Sequence, residues 1–479
     1  MNIVDHQNTK IVATIGPASS SYEMLDKLVH AGVDVFRLNF SHGTHEQHQE
    51  VIERIVRINE EHGTHVGILG DLQGPKLRVG KIKDDALQLE EGEIITFINN
   101  DCIGTKEAIY MSYARFPKDV KVGEKVLIDD GKLELEVVET NHTDEVKLKV
   151  LFGGTLSSNK GVNLPNTKIS LPSLTPKDER DLAFMLTQPI HWIALSFVRS
   201  AKDVKDLRRR IEAAGHDAKI ISKIEKPEAI DRIDKIIKES NGIMVARGDL
   251  GIEVPMKKLP GIQKMIIEKC MQRARPVIVA TQMMDSMITN PSPTRAEVTD
   301  VANAVLDGAD AVMLSGETSV GKHPIKVVKA MNEIIEEAEK SYYPGIIVKR
   351  PKAAKKSRTF FSDAVCFKAA EIAESIGAKA IVGMTSSGYT AFKISSYRPN
   401  AKIYVFSQKH SMLSTLNLCW GVRCYYYDRF STTDNTIQDV TQILKDLKRV
   451  KDGDAIVNTG SMPIQKRHRT NMLKVTLVD

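Results

Sequence analysis

The stretch AKIISKIEKPEAI, residues 218–230, carries two side chains that could do chemistry together. Its apolar residues between lysines predict a buried strand, which the Lys-Pro pair after Glu225 should end. Lys223 and Glu225 are two residues apart and therefore point to the same side of a strand. The lysine supplies a positive charge and the glutamate an oxygen ligand for a hard cation. The pair suits a phosphorylated or enolate-forming substrate, and a solvated ion pair at a strand end is the simpler alternative.

Seven other segments of the chain have the same strand-like pattern, with helical patterns between them. The eight segments are KIVATIG (10–16), VDVFRLNF (33–40), HVGILGDL (65–72), HWIALSFV (191–198), AKIISKIE (218–225), GIMVARGD (242–249), RPVIVATQ (275–282) and ADAVMLSG (309–316). Apart from one long gap, they start 23 to 34 residues apart, which is the length of a strand–helix unit. Eight such units predict an α/β fold with a closed parallel TIM (β/α)8 barrel, and an open doubly wound sheet is the alternative.

The gap between the third and fourth barrel segments has a different pattern. KVLIDDGKLELEVVET and EVKLKVLFGG alternate apolar and polar residues between turn signals, which predicts antiparallel β structure. After the barrel, helical and strand-like segments alternate again. We therefore expect a catalytic barrel of residues 1–72 and 171–345, an inserted β-rich lid domain of residues 73–170, and a C-terminal α/β regulatory domain of residues 346–479. An insertion in a βα loop lies at the catalytic face of a barrel, so the inserted domain should cover the site.

Polar residues end seven consecutive barrel strands, on the rim where barrel enzymes carry their active sites. They are Arg37, Asn39, Ser41, Asp71, Ser196, Lys223, Glu225, Asp249, Thr281 and Ser315. Glu225 and Asp249 could jointly hold a Mg²⁺ ion, and Arg37 is a bidentate phosphate binder by type. Gly248 lets a substrate carboxylate approach the backbone closely. The hydroxyl groups on this rim could bind substrate or relay a proton through water.

Composition and charge argue against several classes of function. The 479 residues are 42% hydrophobic and 27% charged with a net charge of +6, which fits a soluble globular protein with an anionic substrate. Aromatic residues make up 5% and no basic run is interleaved with them, which argues against a nucleic-acid partner. The polar N-terminus does not resemble a signal peptide, and no apolar run reaches membrane-spanning length. Five cysteines without a CxxC pair indicate reduced thiols in a cytoplasmic protein.

Six motifs together resemble the pyruvate kinase family. They are FRLNFSHG, KGVNLP, IISKIEKPEAI, MVARGDLGIEVP, ATQMMDSM and PTRAEVTDVANAVLDGADAVMLSGET. The resemblance covers nearly the whole chain in order, including the inserted and C-terminal parts. It implies transfer of a phosphoryl group from phosphoenolpyruvate to ADP, which gives pyruvate and ATP in the last step of glycolysis. It also implies a homotetramer.

The resemblance implies roles for individual positions. Lys223 matches the lysine that stabilises the transferring phosphoryl group, and Glu225 with Asp249 match the ligands of Mg²⁺, for which Mn²⁺ is the alternative ion. The positions that match substrate-binding ones are Arg37, Lys223, Gly248, Asp249 and Thr281. Those that match nucleotide-binding ones are Asn39, His42, Arg78 and Lys160. Thr281 and Ser315 are expected to order the water that protonates the enolate.

Residues 72–76 depart from the pattern of many family members, which read Thr-Lys-Gly-Pro-Glu where this chain reads Leu-Gln-Gly-Pro-Lys. The usual potassium ligands of the family remain at Asn39, Ser41 and Asp71. Leu72, Gln73, Lys76 and Val79 together nevertheless resemble the potassium-independent branch. In physical terms, a tethered ammonium can supply the charge of an exchangeable cation. We therefore expect that K⁺ is not required, and a Lys76 side chain pointing into solvent is the alternative.

The C-terminal part resembles the regulatory domain of the family. MTSSGYT (384–390) is a loop of hydroxyls and glycine after a strand, which is typical of a phosphate-binding cradle. We expect it to bind a phosphorylated allosteric effector together with basic residues from GSMPIQKRHRTN (460–471). The expected effector residues are Thr385, Ser386, Ser387, Gly388, Thr390, Lys466 and Arg467.

Two rival functions stay open at this point. A magnesium-dependent enolpyruvate lyase or aldolase would use the same barrel rim but would not need ADP. A metabolite-sensing, non-catalytic homologue would bind the effector alone, and it is disfavoured because every catalytic position is filled. Replacing Lys223 by Met separates these functions, because it should abolish phosphoryl transfer and leave effector binding intact.

Overall fold

The computed structural model describes residues 7–341, 358–429, 432–462 and 469–479. Within these ranges, no helix combines the length and the apolar character needed to cross a membrane. All five cysteines lie in the described ranges, and none of them forms a disulfide.

The described residues form 21 strands and 16 α-helices, labelled here in chain order. The strands are β1 Lys10–Ile15, β2 Val35–Asn39, β3 Gly67–Asp71, β4 Leu87–Leu89, β5 Ile94–Ile98, β6 Ile109–Tyr110, β7 Lys125–Ile128, β8 Leu133–Thr140, β9 Glu145–Phe152, β10 Gly154–Leu156, β11 Val162–Asn163, β12 Trp192–Leu195, β13 Lys219–Ile224, β14 Gly242–Ala246, β15 Val277–Ala280, β16 Ala311–Leu314, β17 Ala380–Met384, β18 Lys402–Ser407, β19 Val422–Tyr426, β20 Ala455–Gly460 and β21 Met472–Leu477. The helices are α1 Tyr22–His30, α2 His45–His62, α3 Phe116–Asp119, α4 Pro176–Met185, α5 Ala201–Ala213, α6 Pro227–Asp231, α7 Ile233–Glu239, α8 Arg247–Glu253, α9 Leu259–Gln272, α10 Arg295–Leu306, α11 Gly316–Ser319, α12 Pro324–Ser341, α13 Phe360–Ser375, α14 Tyr389–Ser396, α15 His410–Leu416 and α16 Thr433–Asp446.

Eight parallel strands close into a barrel in the order β1-β16-β15-β14-β13-β12-β3-β2. Each of the eight predicted segments supplies one of these strands, so the predicted barrel is confirmed. The strands are buried on both faces, as in β13, because side chains fill the interior and helices cover the outside. The first and last strands pair in register from Lys10 opposite Ala311 to Ala13 opposite Leu314, which closes the ring.

The helices around the barrel begin and end at sequence signals. In α2 a capping box at Thr44 precedes the first turn, and Gly63 follows the last turn with a left-handed φ of 63°. The capping box expected from Thr294 and Glu297 starts α10. These caps satisfy backbone groups that would otherwise be left without partners at the helix ends.

Between β3 and β12 the chain forms a separate β structure. Its main sheet has the strand order β11-β7-β8-β9-β5-β6, and β4 pairs with β10 in a second, two-stranded sheet. In β8 and β9 inward side chains are buried and alternate residues are accessible, as their alternating pattern predicts. A cluster of buried apolar side chains fills this β structure independently of the barrel core.

The C-terminal part contains a five-stranded sheet in the order β19-β18-β17-β20-β21, with only β21 antiparallel. This α/β domain packs on the end of the barrel where the strands begin. The Trp192 indole at the start of β12 donates to the Thr415 carbonyl at 3.1 Å, and buried Arg398 pairs with Asp310 at 3.0 Å. The predicted fold class, a barrel followed by an α/β domain, is confirmed.

Candidate active site at the barrel rim

The ammonium group of Lys223 is the centre of a charged cluster at the carboxyl ends of the barrel strands. Its Nζ donates to Ser196 Oγ at 2.7 Å and lies 3.0 Å from Glu225 Oε1 and 3.4 Å from Asp71 Oδ1. The side chain is 12% exposed, and its three partners lie at the ends of different strands. The structure therefore brings together residues that are up to 154 positions apart, as expected for a barrel rim.

The charges of this cluster stabilise one another. Burial alone would lower the pKa of Lys223, but the carboxylates of Asp71 and Glu225 outweigh it and raise that pKa well above its usual value. Burial would raise the pKa of Asp71, but Lys223 and Arg37 outweigh it and lower that pKa. The lysine is therefore protonated and the aspartate ionised in the folded protein.

Arg37 is held in one orientation by two partners. Its Nε donates to Asp71 Oδ2 at 2.7 Å, and its Nη1 donates to Thr14 Oγ1 at 3.0 Å. Thr14 in turn donates to the Leu314 carbonyl at 2.8 Å, across the closing pair of strands. The second terminal nitrogen of the guanidinium makes no hydrogen bond to a residue that the structure describes, so it remains available for an anion.

Glu225 and Asp249 are the carboxylates predicted to hold a divalent ion. Glu225 Oε2 accepts from the Phe197 N–H at 2.6 Å, whereas the buried Oε1 has no aligned hydrogen bond although Lys223 Nζ lies 3.0 Å away. Burial raises the pKa of Glu225, and the charge of Asp249 adds to the rise. Asp249 accepts no hydrogen bond from the described residues. A buried, unsatisfied carboxylate oxygen near a second carboxylate fits Mg²⁺, which binds oxygen ligands.

Asp249 does not end a strand, as the sequence pattern suggested. The strand β14 ends at Ala246, and Asp249 lies in the first turn of α8. Arg247 fixes this turn, because its guanidinium donates twice to Asp300 at 2.7 Å and once to the Thr281 carbonyl at 2.8 Å. The sequence motifs did not reveal this arginine, and its only local signal was its place in MVARGD.

The Gly248 amide and the Thr281 hydroxyl bind each other. The Gly248 N–H donates to Thr281 Oγ1 at 2.7 Å, and Thr281 Oγ1 donates to the Ala280 carbonyl at 2.5 Å. Thr281 has a left-handed φ of 70°, which is uncommon for a β-branched residue. The Gly248 N–H is therefore already hydrogen-bonded within the protein, although the sequence suggested that it would bind a substrate carboxylate.

Ser315 carries a hydroxyl directly after β16. Its Oγ is buried and makes no hydrogen bond to the described residues, while its N–H donates to Glu317 Oε2 at 2.6 Å. Glu317 also accepts from the Met284 N–H at 3.1 Å, and burial raises its pKa. The backbone turn after β16 is thereby fixed, with the Ser315 hydroxyl unsatisfied.

The four positions predicted to bind a nucleotide lie in two places. Asn39 ends β2, where its Oδ1 accepts from the Ser41 N–H at 3.1 Å, and His42 is exposed just beyond. Arg78 and Lys160 lie on the β structure between β3 and β12. Arg78 Nη1 donates to the Asn159 carbonyl at 2.9 Å, and Lys160 Nζ pairs with Asp129 at 2.9 Å.

A narrow cleft lies between the barrel rim and the inserted β structure. Its lining residues are Pro75, Lys76, Leu77, Val162, Asn163, Ile169, Phe197, Arg199, Lys226 and Asp249. Across it, Asn163 Nδ2 donates to Glu253 Oε1 at 2.9 Å, and Lys226 Nζ donates to the same oxygen at 2.6 Å. The predicted metal ligand Asp249 and Lys76 therefore face one cleft.

Residues 72–76 cross from the barrel to the β structure. Leu72 is buried, and the Gly74 N–H donates to Asp178 Oδ1 at 3.0 Å at a left-handed φ of 70°. Lys76 is half-buried, and its ammonium makes no hydrogen bond or ion pair with a described residue. Its positive charge is therefore not neutralised by the part of the chain that the structure describes.

The predicted effector loop follows β17 and leads into α14. Ser386 and Ser387 are exposed, and the Gly388 N–H donates to Thr385 Oγ1 at 2.9 Å. The hydroxyl of Thr390 is buried against that of Thr470. Lys466 and Arg467 lie outside the described residues.

Comparison with known proteins gives one family. The family models for "Pyruvate kinase, barrel domain" and "Pyruvate kinase, alpha/beta domain" match residues 6–328 and 363–476. Pyruvate kinase of Staphylococcus epidermidis is 42% identical over 98% of this chain and 80% of its own length. Pyruvate kinase of Geobacillus stearothermophilus has the same identity and coverage. A crystal structure of a pyruvate kinase from Cryptosporidium parvum superposes with a TM-score of 0.91 at 35% identity, over 99% of this chain and 97% of that one.

Proposed function

The chain belongs to the pyruvate kinase family of phosphotransferases, and we propose that it transfers a phosphoryl group from phosphoenolpyruvate to ADP with Mg²⁺ as its divalent ion, or Mn²⁺ in its place. The observation that carries the proposal is the buried cluster at the rim, in which Lys223 lies between Asp71 and Glu225 and Arg37 pairs with Asp71. Phosphoryl transfer needs positioning and neutralisation of charge and no covalent nucleophile, and this cluster supplies both.

Each charged side chain has a separate task in this reaction. Arg37 is held by Asp71 and Thr14 and presents its remaining nitrogen to the phosphate. Lys223 stays protonated, so it neutralises charge first on the transferring phosphoryl group and then on the enolate oxygen. Glu225 and Asp249 would hold the divalent ion, which neutralises negative charge on the substrate oxygens when bound.

The final step protonates the enolate at carbon. Thr281 and Ser315 were both expected to order the water that delivers the proton. The Thr281 hydroxyl already donates to a carbonyl and accepts from an amide, whereas the buried Ser315 hydroxyl has no described partner. We assign the positioning of this water mainly to Ser315, because an unsatisfied buried hydroxyl gains most by binding it.

We further propose that activity does not require K⁺. The Asn39 side-chain oxygen already accepts a hydrogen bond, and both oxygens of Asp71 face Arg37 or Lys223. Lys76 brings an un-neutralised positive charge to the cleft that Asp249 lines. A fixed ammonium at this place supplies what an exchangeable cation supplies elsewhere.

The loop from Thr385 to Gly388, with Thr390, is proposed to bind the phosphate of an allosteric effector. It offers two exposed hydroxyls and the first amides of an eight-residue helix, where partial positive charge favours anions. Lys466 and Arg467, outside the described residues, are proposed to add positive charge. The test measures substrate saturation with a set of sugar phosphates and nucleotides in the wild type and in the double variant S386A/S387A. A response that survives the double substitution would reject this site.

The division of the chain and its assembly also remain proposals. We propose the barrel as residues 1–72 and 171–345, the lid as 73–170 and the regulatory domain as 346–479. Homotetramers located in the cytoplasm are proposed by analogy with the family. Sedimentation of the purified protein would test the tetramer, and a monomeric mass at assay concentration would contradict it.

The experiment that tests the main proposal is an assay of pyruvate formation with each component left out in turn. We expect pyruvate and ATP in equal amounts, with no product without ADP or after chelation of divalent ions. A matched reaction with Mn²⁺ checks that the loss on chelation comes from the metal. Pyruvate formed without ADP would instead indicate a lyase or aldolase.

A further inference from the structure

We propose that Asp26, His30 and His62 form a binding site for one divalent transition metal ion of the zinc type, on the outside of the barrel between α1 and α2. One ligand atom from each of the three side chains lies within 4.8 Å of the others. Asp26 Oδ1 is 2.8 Å from His62 Nε2 and 3.4 Å from His30 Nδ1. Zinc binds nitrogen and oxygen at about 2.0–2.2 Å, so a bound ion would place these ligand atoms roughly 3–3.5 Å from one another.

The helices bring these side chains together without a loop. Asp26 and His30 are four residues apart on α1, and therefore lie on one face of that helix. His62 is the last residue of α2, directly before the left-handed Gly63. Both histidines lie in the last turn of a helix, where the partial negative charge of the carbonyl ends favours a cation.

The present hydrogen bonds leave the cluster incompletely satisfied. Asp26 Oδ1 is buried and has no aligned hydrogen bond, although the His62 ring nitrogen is close to it. His30 Nδ1 lies 2.9 Å from the Asp26 backbone oxygen, and this contact is given up when that nitrogen binds an ion. The two imidazole rings meet edge to face with centroids 5.0 Å apart. Both imidazoles thus approach one carboxylate oxygen that accepts no hydrogen bond from the described residues.

The donor set selects the class of metal. Two imidazoles and one carboxylate suit Zn²⁺, Ni²⁺, Co²⁺ and Cu²⁺, whereas Mg²⁺ prefers oxygen ligands alone. The neighbouring Glu61 cannot complete the site, because it already binds Arg57 at 2.7 Å and the Tyr22 hydroxyl. The remaining positions on the ion are therefore left to water. Among the described residues this is the only group of three such side chains that converges so closely.

The site is separate from the proposed catalytic rim. The last turns of α1 and α2 precede β2 and β3, so they lie at the end of the barrel where strands begin. A bound ion would link two neighbouring helices and stabilise the folded barrel over the unfolded chain. The proposal therefore predicts an effect of zinc on stability that does not depend on catalytic activity.

The test uses the full chain freed of metals and titrated with Zn²⁺ by calorimetry, with millimolar Mg²⁺ present to occupy the rim carboxylates. We expect one zinc site per chain, at least tenfold weaker in H30A, H62A and D26N. The control H142A removes an exposed histidine from the loop between β8 and β9 and should leave the affinity unchanged. The melting temperature of the wild type should rise with Zn²⁺ and that of H62A should not.

Two results would overturn the proposal. One is the absence of any zinc site in the wild type under these conditions. The other is a site whose affinity and stoichiometry are equal in the wild type and in the H30A/H62A double variant. Far-ultraviolet circular dichroism and the melting temperature without metal establish that each variant is folded, so that a loss of binding reports on the ligands alone.

Discussion

The rim cluster and the loop after β17 are both proposed to bind phosphate, yet they are built differently. At the rim, Lys223 and Arg37 are buried against Asp71 and Glu225, so the charges proposed to meet the substrate are positioned in advance. In the loop, Ser386 and Ser387 are exposed, and the hydrogen bond of the Gly388 amide goes to the neutral hydroxyl of Thr385. A pre-organised site can stabilise a transition state, because its groups do not reorganise during the reaction. An open loop that is ordered by its ligand suits a regulatory site.

Removing the central charge of the rim should have the largest effect. In K223M the ammonium is lost, and Asp71 and Glu225 face each other without their shared partner. We expect kcat for pyruvate formation to fall by about 10³-fold, or about 4 kcal/mol, as for other groups that stabilise charge in a transition state. Initial rates at saturating substrate measure this. A variant that keeps a tenth of the wild-type rate would contradict the role of Lys223.

At the opposite end of the barrel, the buried side chain of His191 is held in its neutral form. Burial lowers the pKa of His191 from 6.5 to about 4, and its Nδ1 accepts from the Ile68 N–H at 3.0 Å. Between about pH 4 and pH 6.5, the unfolded chain therefore binds a proton at His191 that the folded chain does not. The contribution of His191 to the free energy of unfolding is complete above pH 6.5. It decreases by roughly 3 kcal/mol as the pH falls toward 4.

Denaturant unfolding between pH 7 and 4 tests this contribution. In H191N an amide oxygen can accept from the same N–H without titrating, so the free energy of unfolding should depend less on pH. H142A serves as the control, since His142 is exposed, and should keep the wild-type profile. Identical pH profiles for H191N and the wild type would show that His191 does not titrate in this way.

Substituting Lys76 should make the activity depend on an exchangeable cation. In K76E the fixed positive charge in the cleft is replaced by a negative one. We expect the rate without monovalent ions to fall about tenfold, or about 1.4 kcal/mol, and added K⁺ to restore part of it. K76M separates loss of the positive charge from gain of a cation ligand, because K⁺ should not rescue it. Equal rates for all three proteins without K⁺ would mean that Lys76 does not act in catalysis.

Substitutions in the loop after β17 should have the smallest effect on kcat. S386A/S387A removes two neutral hydroxyls, each contributing about 0.5–1.5 kcal/mol to a bound phosphate. Effector affinity should therefore fall up to about a hundredfold, with kcat in the absence of effector unchanged. A fall in basal kcat as large as that of K223M would remove the distinction between the two sites.

The sequence predicts the barrel well because its strands are continuous apolar runs separated by regular helices. In β13 the apolar residues, the lysine and the following Lys-Pro were enough to place Lys223 and Glu225 together. The partners that fix these side chains were not predictable. The Phe197 N–H that binds Glu225 is 28 residues away in sequence, and Asp300 is 53 residues from Arg247. Nothing local in the sequence specifies such contacts.

The helical turn at Asp249 shows the same limit. GIMVARGD was predicted as one strand, because its pattern is apolar up to the arginine. The strand instead ends at Ala246, where Arg247 is drawn to Asp300 and to the Thr281 carbonyl. The residue type of the proposed metal ligand was predictable, but its place on a helix depends on tertiary contacts.

The most direct test measures the initial rate of pyruvate formation by the wild type with phosphoenolpyruvate, ADP and Mg²⁺ in buffer free of K⁺ and other activating monovalent ions. K⁺ is then added to the same reaction. A rim that carries its own positive charges predicts full activity before the addition and no increase after it. Activity that appears only with K⁺ would contradict the claim that Lys76 replaces the cation, and no activity in either buffer would contradict the assignment of the rim as a phosphoryl-transfer site.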